Sequence, residues 1–314
     1  MKTKIIHEYK LNPGQEISRV LPLSSNDFAV LTYQSGKPSL NIHGSHERQI
    51  DLPDIKKVDD LNRYCSLFNY KDGFGLAQSF GRLSLCQNLS GNLKTVQLKH
   101  PYPEKQHYPF LASVGYREAD DSFIAGIENE FSVGFPAKYW TQIRLEKKKV
   151  LGLQMPRLNW TLGELRALDL NKFPPTTRNY SDGEWLNMQT IGVDTNRLFI
   201  YTNGGAATRS KSGPNFEFSI ISEFDGDHRF IGNHTVEEGI VFFSSDKKYL
   251  ILLPRNKKKL FIYDKNTFCM AFEISLTPKQ NLGTKTTKYL SVDMWGNCLY
   301  LYGKDFLHRC EIIA

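Results

Sequence analysis

The sequence lacks a long apolar run, any CxxC spacing, a basic block and an extended helix-forming stretch. No apolar run approaches the ~18 residues of a membrane-spanning helix, so no membrane span is predicted. The start, MKTKIIHEYKLNPGQE, meets charge after only two adjacent apolar residues, which predicts no signal peptide and a cytoplasmic location. The five cysteines, Cys65, Cys86, Cys269, Cys298 and Cys310, are odd in number. They read as small buried hydrophobes rather than a disulfide or zinc framework. Net charge is +7, yet no Lys/Arg run exceeds the triplets Lys147–Lys149 and Lys257–Lys259. That excess is ordinary solubilising charge on a chain of 314 residues. It permits a nucleic-acid partner, but no stacking platform with interleaved basic residues supports one.

Catalytic signatures are missing too. There is no GxSxG elbow, HExxH, Walker loop or zinc-ligand spacing. Gly73-Phe-Gly75 with Gly81 has the wrong spacing for a dinucleotide fingerprint, and Asn203-Gly-Gly205 has no strand-to-helix context for phosphate binding. Asp225-Gly-Asp-His228 reads as a hairpin turn rather than a metal site. No cofactor is predicted.

What is present is strand-forming sequence, with 20 Phe and 15 Tyr. Residues 237–276 contain four short apolar runs, Ile240–Ser244, Tyr249–Leu253, Leu260–Tyr263 and Cys269–Ile274. They are separated by SSDKK, PRNKKK and DKNT, segments of the kind that reverse a chain. Four antiparallel strands at this spacing make one blade of a β-propeller. The segment resembles a degenerate WD40 or YVTN-type repeat. Phe243-Ser-Ser-Asp-Lys-Lys-Tyr-Leu250 matches the inner hairpin, and Phe261-Ile-Tyr-Asp264 stands where that family's Trp-Asp pair ends its third strand. Tyr replaces the Trp here.

Weaker copies of this template cover 17–52, 61–98, 110–153 and 185–231, and a three-strand copy covers 288–314. The expected fold is therefore all-β: one six-bladed propeller domain over 1–314. Residues 1–11 close it by supplying the missing strand of the last blade, which removes an exposed edge. Residues 154–184 form an inter-blade insertion. Within it the capping box Thr161-Leu-Gly-Glu164 leads into Leu165-Arg-Ala-Leu168, which predicts one short helix.

Loop lengths choose a working face. Turns joining strands a–b and c–d are short throughout, whereas three connections on the other face are long: 127–138, 154–184 and 203–215. Long loops in excess of what connection needs carry function. In or immediately beside them lie Phe131, Phe135, Tyr139, Trp140, Trp160, Arg166, Arg178, Tyr180, Trp185, Arg209 and Lys211, including the aromatic and arginine residues that dominate interface hot spots. The leading expectation is a non-catalytic propeller capturing a protein partner there, as a toxin-neutralising immunity protein or a complex subunit does. The alternative is a metal-dependent, lactonase-like hydrolase, with Glu16, Asp60, Glu184 and Glu238 ringing the channel mouth as oxygen ligands.

Overall fold

Short apolar segments separated by turn residues pair into antiparallel sheets, and the strands Phe28–Gln34, Tyr249–Pro254 and Cys298–Tyr302 are buried on both faces over most of their length. The computed structural model describes residues 1–35, 37–50, 52, 65–78, 82–97, 110–128, 139–144, 149–154, 175–176, 184–194, 196–206, 215–226, 229–254, 259–276 and 291–313. After β1 (Lys2–Glu8), sheet I comprises β2 (Gln15–Pro22), β3 (Phe28–Gln34), β4 (Lys37–His43) and β5 (Arg48–Ile50). Sheet II holds β6 (Cys65–Tyr70), β7 (Gly73–Gln78), β8 (Arg82–Cys86) and β9 (Lys94–Gln97). Sheet III holds β10 (Phe110–Arg117), β11 (Ser122–Glu128), β12 (Tyr139–Arg144) and β13 (Lys149–Gln154). Sheet IV gathers β14 (Pro175–Thr176), β15 (Glu184–Asp194), β16 (Arg197–Ala206), β17 (Asn215–Asp225) and β18 (Phe230–Thr235). Sheet V is β19 (Gly239–Phe243), β20 (Tyr249–Pro254), β21 (Lys259–Asp264) and β22 (Met270–Ser275). Sheet VI joins β23 (Ser291–Trp295), β24 (Cys298–Tyr302) and β25 (Leu307–Ile313) to β1.

Sheets I to V are each built from one stretch of chain, so five units are self-contained. Sheet VI is composite. Its β1 runs antiparallel to β25, from Lys2 opposite Ile313 to Glu8 opposite His308, with an irregularity between Ile5 and His7. This is the closing strand expected of the N-terminal run. The four runs read in 237–276 fall on β19 to β22.

The core lies between sheets, and each interface joins neighbours in chain order. Leu31, Leu40 and Ile42 of sheet I meet Phe74 and Leu76 of sheet II. Phe68 and Leu83 of sheet II meet Val114 and Phe123 of sheet III. Phe199 and Ile221 of sheet IV meet Leu250 and Leu252 of sheet V, whose Ile262 and Leu260 meet Met294 and Leu301 of sheet VI. The circle then shuts: Tyr300 of sheet VI packs on Phe28 of sheet I, ring centroids 5.4 Å apart. Burying each such side chain contributes about 1.5–3 kcal/mol. Between sheets III and IV the Arg117 guanidinium donates to the Gly226 carbonyl while forking on Asp120.

Among the described residues the only helix is a single 3-10 turn, Glu118–Asp120. The helix expected over 161–168 lies outside the described residues. Of the free cysteines whose side chains are described, Cys86, Cys298 and Cys310 are buried, whereas Cys269 is exposed.

Candidate functional site

The ring has two ends. One carries the a–b and c–d turns; the other carries the b–c links and the connections between sheets. Sheet IV departs from the rest at this second end. Its β15, β16 and β17 pair continuously from Asp194, Arg197 and Asp225 out to Glu184, Ala206 and Phe216. The inner strand β15 has 11 residues, against 5 in β19 and β23 and 8 in β2 and β10. At about 3.3 Å per residue, the surplus carries a ribbon roughly 10–20 Å further along the ring axis than a five-to-eight-residue strand reaches. β18 accompanies β17 only over Ile220–Phe224, while β14 pairs with Asn215 and Phe216 at the tip.

The segment Asn203-Gly-Gly-Ala206, expected as loop, is strand. Its neighbours explain why. Gly204 stands in register between Leu186 and Phe218, and Gly205 between Trp185 and Glu217, so each glycine is backbone-paired to a strand on both sides. The b–c link of sheet IV is correspondingly shorter than 203–215.

Of the residues expected to bind, Tyr139, Trp140 and Trp185 lie in strands, at the ends that adjoin the expected loops. Tyr139 pairs with Ile127, Trp140 with Gly126, and Trp185 with Gly205. They belong to the neighbouring sheets III and IV, and Trp185 lies near the outer end of the ribbon. Phe131, Phe135, Trp160, Arg166, Arg178, Tyr180, Arg209 and Lys211 lie outside the described residues.

Of the four carboxylates expected at the channel mouth, only Glu16 and Glu238 have described side chains. Glu16 is exposed and pairs with Lys304 Nζ at 3.3 Å. Glu238 is half-buried ahead of β19, Glu184 opens β15, and Asp60 lies outside the described residues. No group of three or more His, Cys, Asp or Glu among the described residues is placed to hold a metal ion.

At the turn end, charged residues tie sheets IV and V together beside an open cleft of 430 Å³ lined by Glu118, Asp194, Asp246, Lys248, Asp264 and Lys265. Lys265 pairs with Asp194, and Arg197 reaches Glu223 at 2.9 Å and Asp194 at 3.6 Å. Asp264, at the end of β21, accepts from the Asn266 and Thr267 amides and the Thr267 hydroxyl. These hydrogen bonds hold its carboxyl below the ordinary value.

A polar cluster that sequence reasoning missed lies deeper. The turn Ser244–Lys248 leans over the axis of the ring. Asn69 Nδ2 of sheet II donates to the Ser245 carbonyl of sheet V at 2.8 Å, spanning the axis from three sheets away. The Ser245 amide and hydroxyl both donate to Asp293 of sheet VI, at 2.9 and 2.7 Å. Asp293 keeps some accessible surface yet sits deep in the protein, as a channel-lining group does. Burial pushes its carboxyl up to about 7, against the opposing pull of those donors. The available signal was one acidic residue inside an apolar inner strand, Ser291-Val-Asp-Met-Trp295.

No protein-family model matches the chain, and no curated protein does. Solved structures do. An α-L-arabinanase of Penicillium chrysogenum, complexed with arabinobiose, aligns over 99% of this chain and 98% of its own at TM-score 0.53 and 9% identity. The β-propeller domain of Myceliophteria thermophila Cps50 (Swd1) aligns over 99% of this chain and 100% of its own, at TM-score 0.48 and 8% identity. A Bacteroides caccae protein of unknown function aligns over 87% and 86%, at TM-score 0.45 and 10% identity. At 9% identity the arabinanase likeness speaks to fold alone. Together with the ring of sheets it defines the class: the chain is a β-propeller.

Proposed function

We propose that this chain is a six-bladed, non-catalytic binding propeller that captures a protein partner at the end carrying the sheet IV ribbon. Each of the six sheets serves as one blade, the composite sheet VI included. A toxin-neutralising immunity protein or a subunit of a larger complex is the kind of role this implies. One observation supports the reading: β15, β16 and β17 continue as a paired ribbon longer than the other described strands of the ring. Ordering backbone costs about 1–2 kcal/mol per residue, and a two- or three-stranded ribbon is marginally stable by itself. A partner laid along it supplies the missing burial, and strand edges with aromatic neighbours are a recurring way to receive one.

The experiment shortens the ribbon without opening the ring. Residues 205–217 are replaced by Asn-Gly, joining the paired positions Gly204 and Phe218 through a two-residue hairpin turn. Wild-type protein used as bait should retain one partner in fixed stoichiometry. The shortened protein should unfold as cooperatively and lose that partner. Arg209→Ala and Trp160→Ala should each weaken capture by about 2 kcal/mol, the scale of an interface hot spot. Lys248→Ala, on the turn end, should leave it intact. Equal capture by wild-type and shortened protein would sink the proposal.

A further inference from the structure

The cluster at the ring axis has a role that the ribbon reading does not use. We propose that the turn Ser244–Lys248 is a latch across the turn end of the channel, held by Asn69 from the far side and by Asp293 from the adjacent sheet, and that proton uptake by Asp293 tightens it.

Three sets of contacts fix this turn. Ser244 Oγ accepts from the Lys248 and Tyr249 amides and donates to Asp246, which makes the turn internally rigid. Asn69 holds the Ser245 carbonyl across the axis. Sheet VI holds the turn through three residues: Asp293 takes the Ser245 amide and hydroxyl, the Met294 carbonyl shares that amide at 3.1 Å, and the Gly296 amide donates to Asp246 Oδ2 at 2.9 Å. Two carboxylates, Asp246 and Asp293, therefore hang on the same five residues.

Ionised, Asp246 at the cleft and the deeper Asp293 repel one another, and Asp246 adds to the burial that raises the Asp293 carboxyl. Neutral Asp293 loses no bond. Its carbonyl oxygen still accepts from the Ser245 amide, and its hydroxyl can donate to Ser245 Oγ, which has lone pairs to receive it. The other ionisable groups facing Asp293, among the described residues, are Tyr300 and Tyr302 of β24. Both phenols are raised by burial and stay neutral near pH 7. Arg19 of β2 and Arg309 of β25 act on Tyr302 and Tyr300 respectively. Asp246 is thus the anion that opposes ionisation of Asp293.

A carboxyl raised in the closed state binds its proton more tightly there than when the turn swings free into water. Closure is strongest in acid, weakens as pH rises, and stops weakening once pH passes about 7, where Asp293 is ionised in both states. Amide exchange of the peptide spanning 242–250, corrected for intrinsic rates, reads this directly. Between about pH 5 and 7, protection should fall up to roughly tenfold per pH unit, then level off. Asp293→Asn should remove the slope. Asp246→Asn should shift the levelling-off point to lower pH. Asn69→Ala should lower protection by the same factor at every pH and keep the slope. A flat wild-type profile, or a slope that survives Asp293→Asn, overturns the proposal. Should Asp293→Asn not fold, an unmoved Asp246→Asn profile overturns it equally. Partner capture plays no role in any of these readouts, so they stand or fall apart from the ribbon reading.

Discussion

The ring of Phe243 fills the space in which a side chain on Gly192 would begin: its Cδ1 lies 2.1 Å from the Cβ position of residue 192. The contact joins the inner strands of sheets IV and V, next to the irregularity between Thr190 and Gly192 in the β15–β16 ladder. Gly192→Ala should force Phe243 out of place and cost about 1–3 kcal/mol, the range for overpacking a filled core. Gly232, whose Cβ position meets nothing within 4 Å, is the control; Gly232→Ala should stay within about ±0.5 kcal/mol. Denaturant titration of both variants measures the difference.

Removing residues 2–8 should destabilise the whole ring rather than fray one end. It uncovers the edge of β25 and removes Ile5 from the cluster containing Leu301 and Cys310. The expected result is one cooperative transition at lower temperature, with a loss well above the ~1 kcal/mol of an average point substitution. A separate early transition would mean that sheet VI melts alone.

Arg197 is half-buried, bonded to Glu223 and Asn266, with its guanidinium 5.4 Å from the Phe199 ring centroid. Arg197→Ala leaves the buried Glu223 carboxylate short of a charged donor, a loss of about 1–3 kcal/mol. Arg197→Lys should recover some of that, because Lys keeps the charge but not the planar fork. Thermal melts of the two variants check the order.

Global stability should respond to pH through opposing groups. Burial lowers His43 and His234 below the ordinary imidazole value, even though Glu47 and Glu223 pull the other way. Their contribution is present above about pH 6.5 and is lost as pH falls. Asp293, raised to about 7, does the reverse, and its contribution fades as pH rises to that point. Asp293→Asn should therefore steepen the gain in stability between about pH 5 and 7, read by denaturant midpoints.

Metal removal separates the binder from the hydrolase alternative. With Glu16 paired to Lys304, a chelator should leave the melting temperature unchanged, and added Ca²⁺ should not raise it. A chelator-induced drop restored by Ca²⁺ would favour the metal reading instead.

Much of this architecture was legible because propeller strands are short and their turns chemically distinct. Lys71-Asp72 and Gly296-Asn297 close two-residue hairpins, with Lys71 at φ 50° and Gly296 at φ 57°. The closing strand could be inferred from a last repeat one strand short. The ribbon could not. Asn203-Gly-Gly205 has loop composition, and only pairing with Leu186, Trp185 and Phe218 from distant sequence makes it strand. The channel acids escape sequence reading for a related reason. Glu16 and Glu238 attract notice beside loops, whereas Asp293 hides inside an apolar run, where its neighbours suggest core. Burial, which makes that carboxyl unusual, depends on sheets II and V meeting across the axis.

The composite sheet also sets how the ring would respond to force. Lys2 faces Ile313 at one end of the β1–β25 ladder, and Glu8 faces His308 at the other. Tension applied between residues 2 and 313 would act across the ladder, perpendicular to the strands. Its pairs would separate in succession from Lys2 inward, as a zip opens, instead of resisting together in shear. The joint that closes the circle is thus loaded in its weaker direction, and a tether holding those two positions side by side would remove that weakness without touching the core.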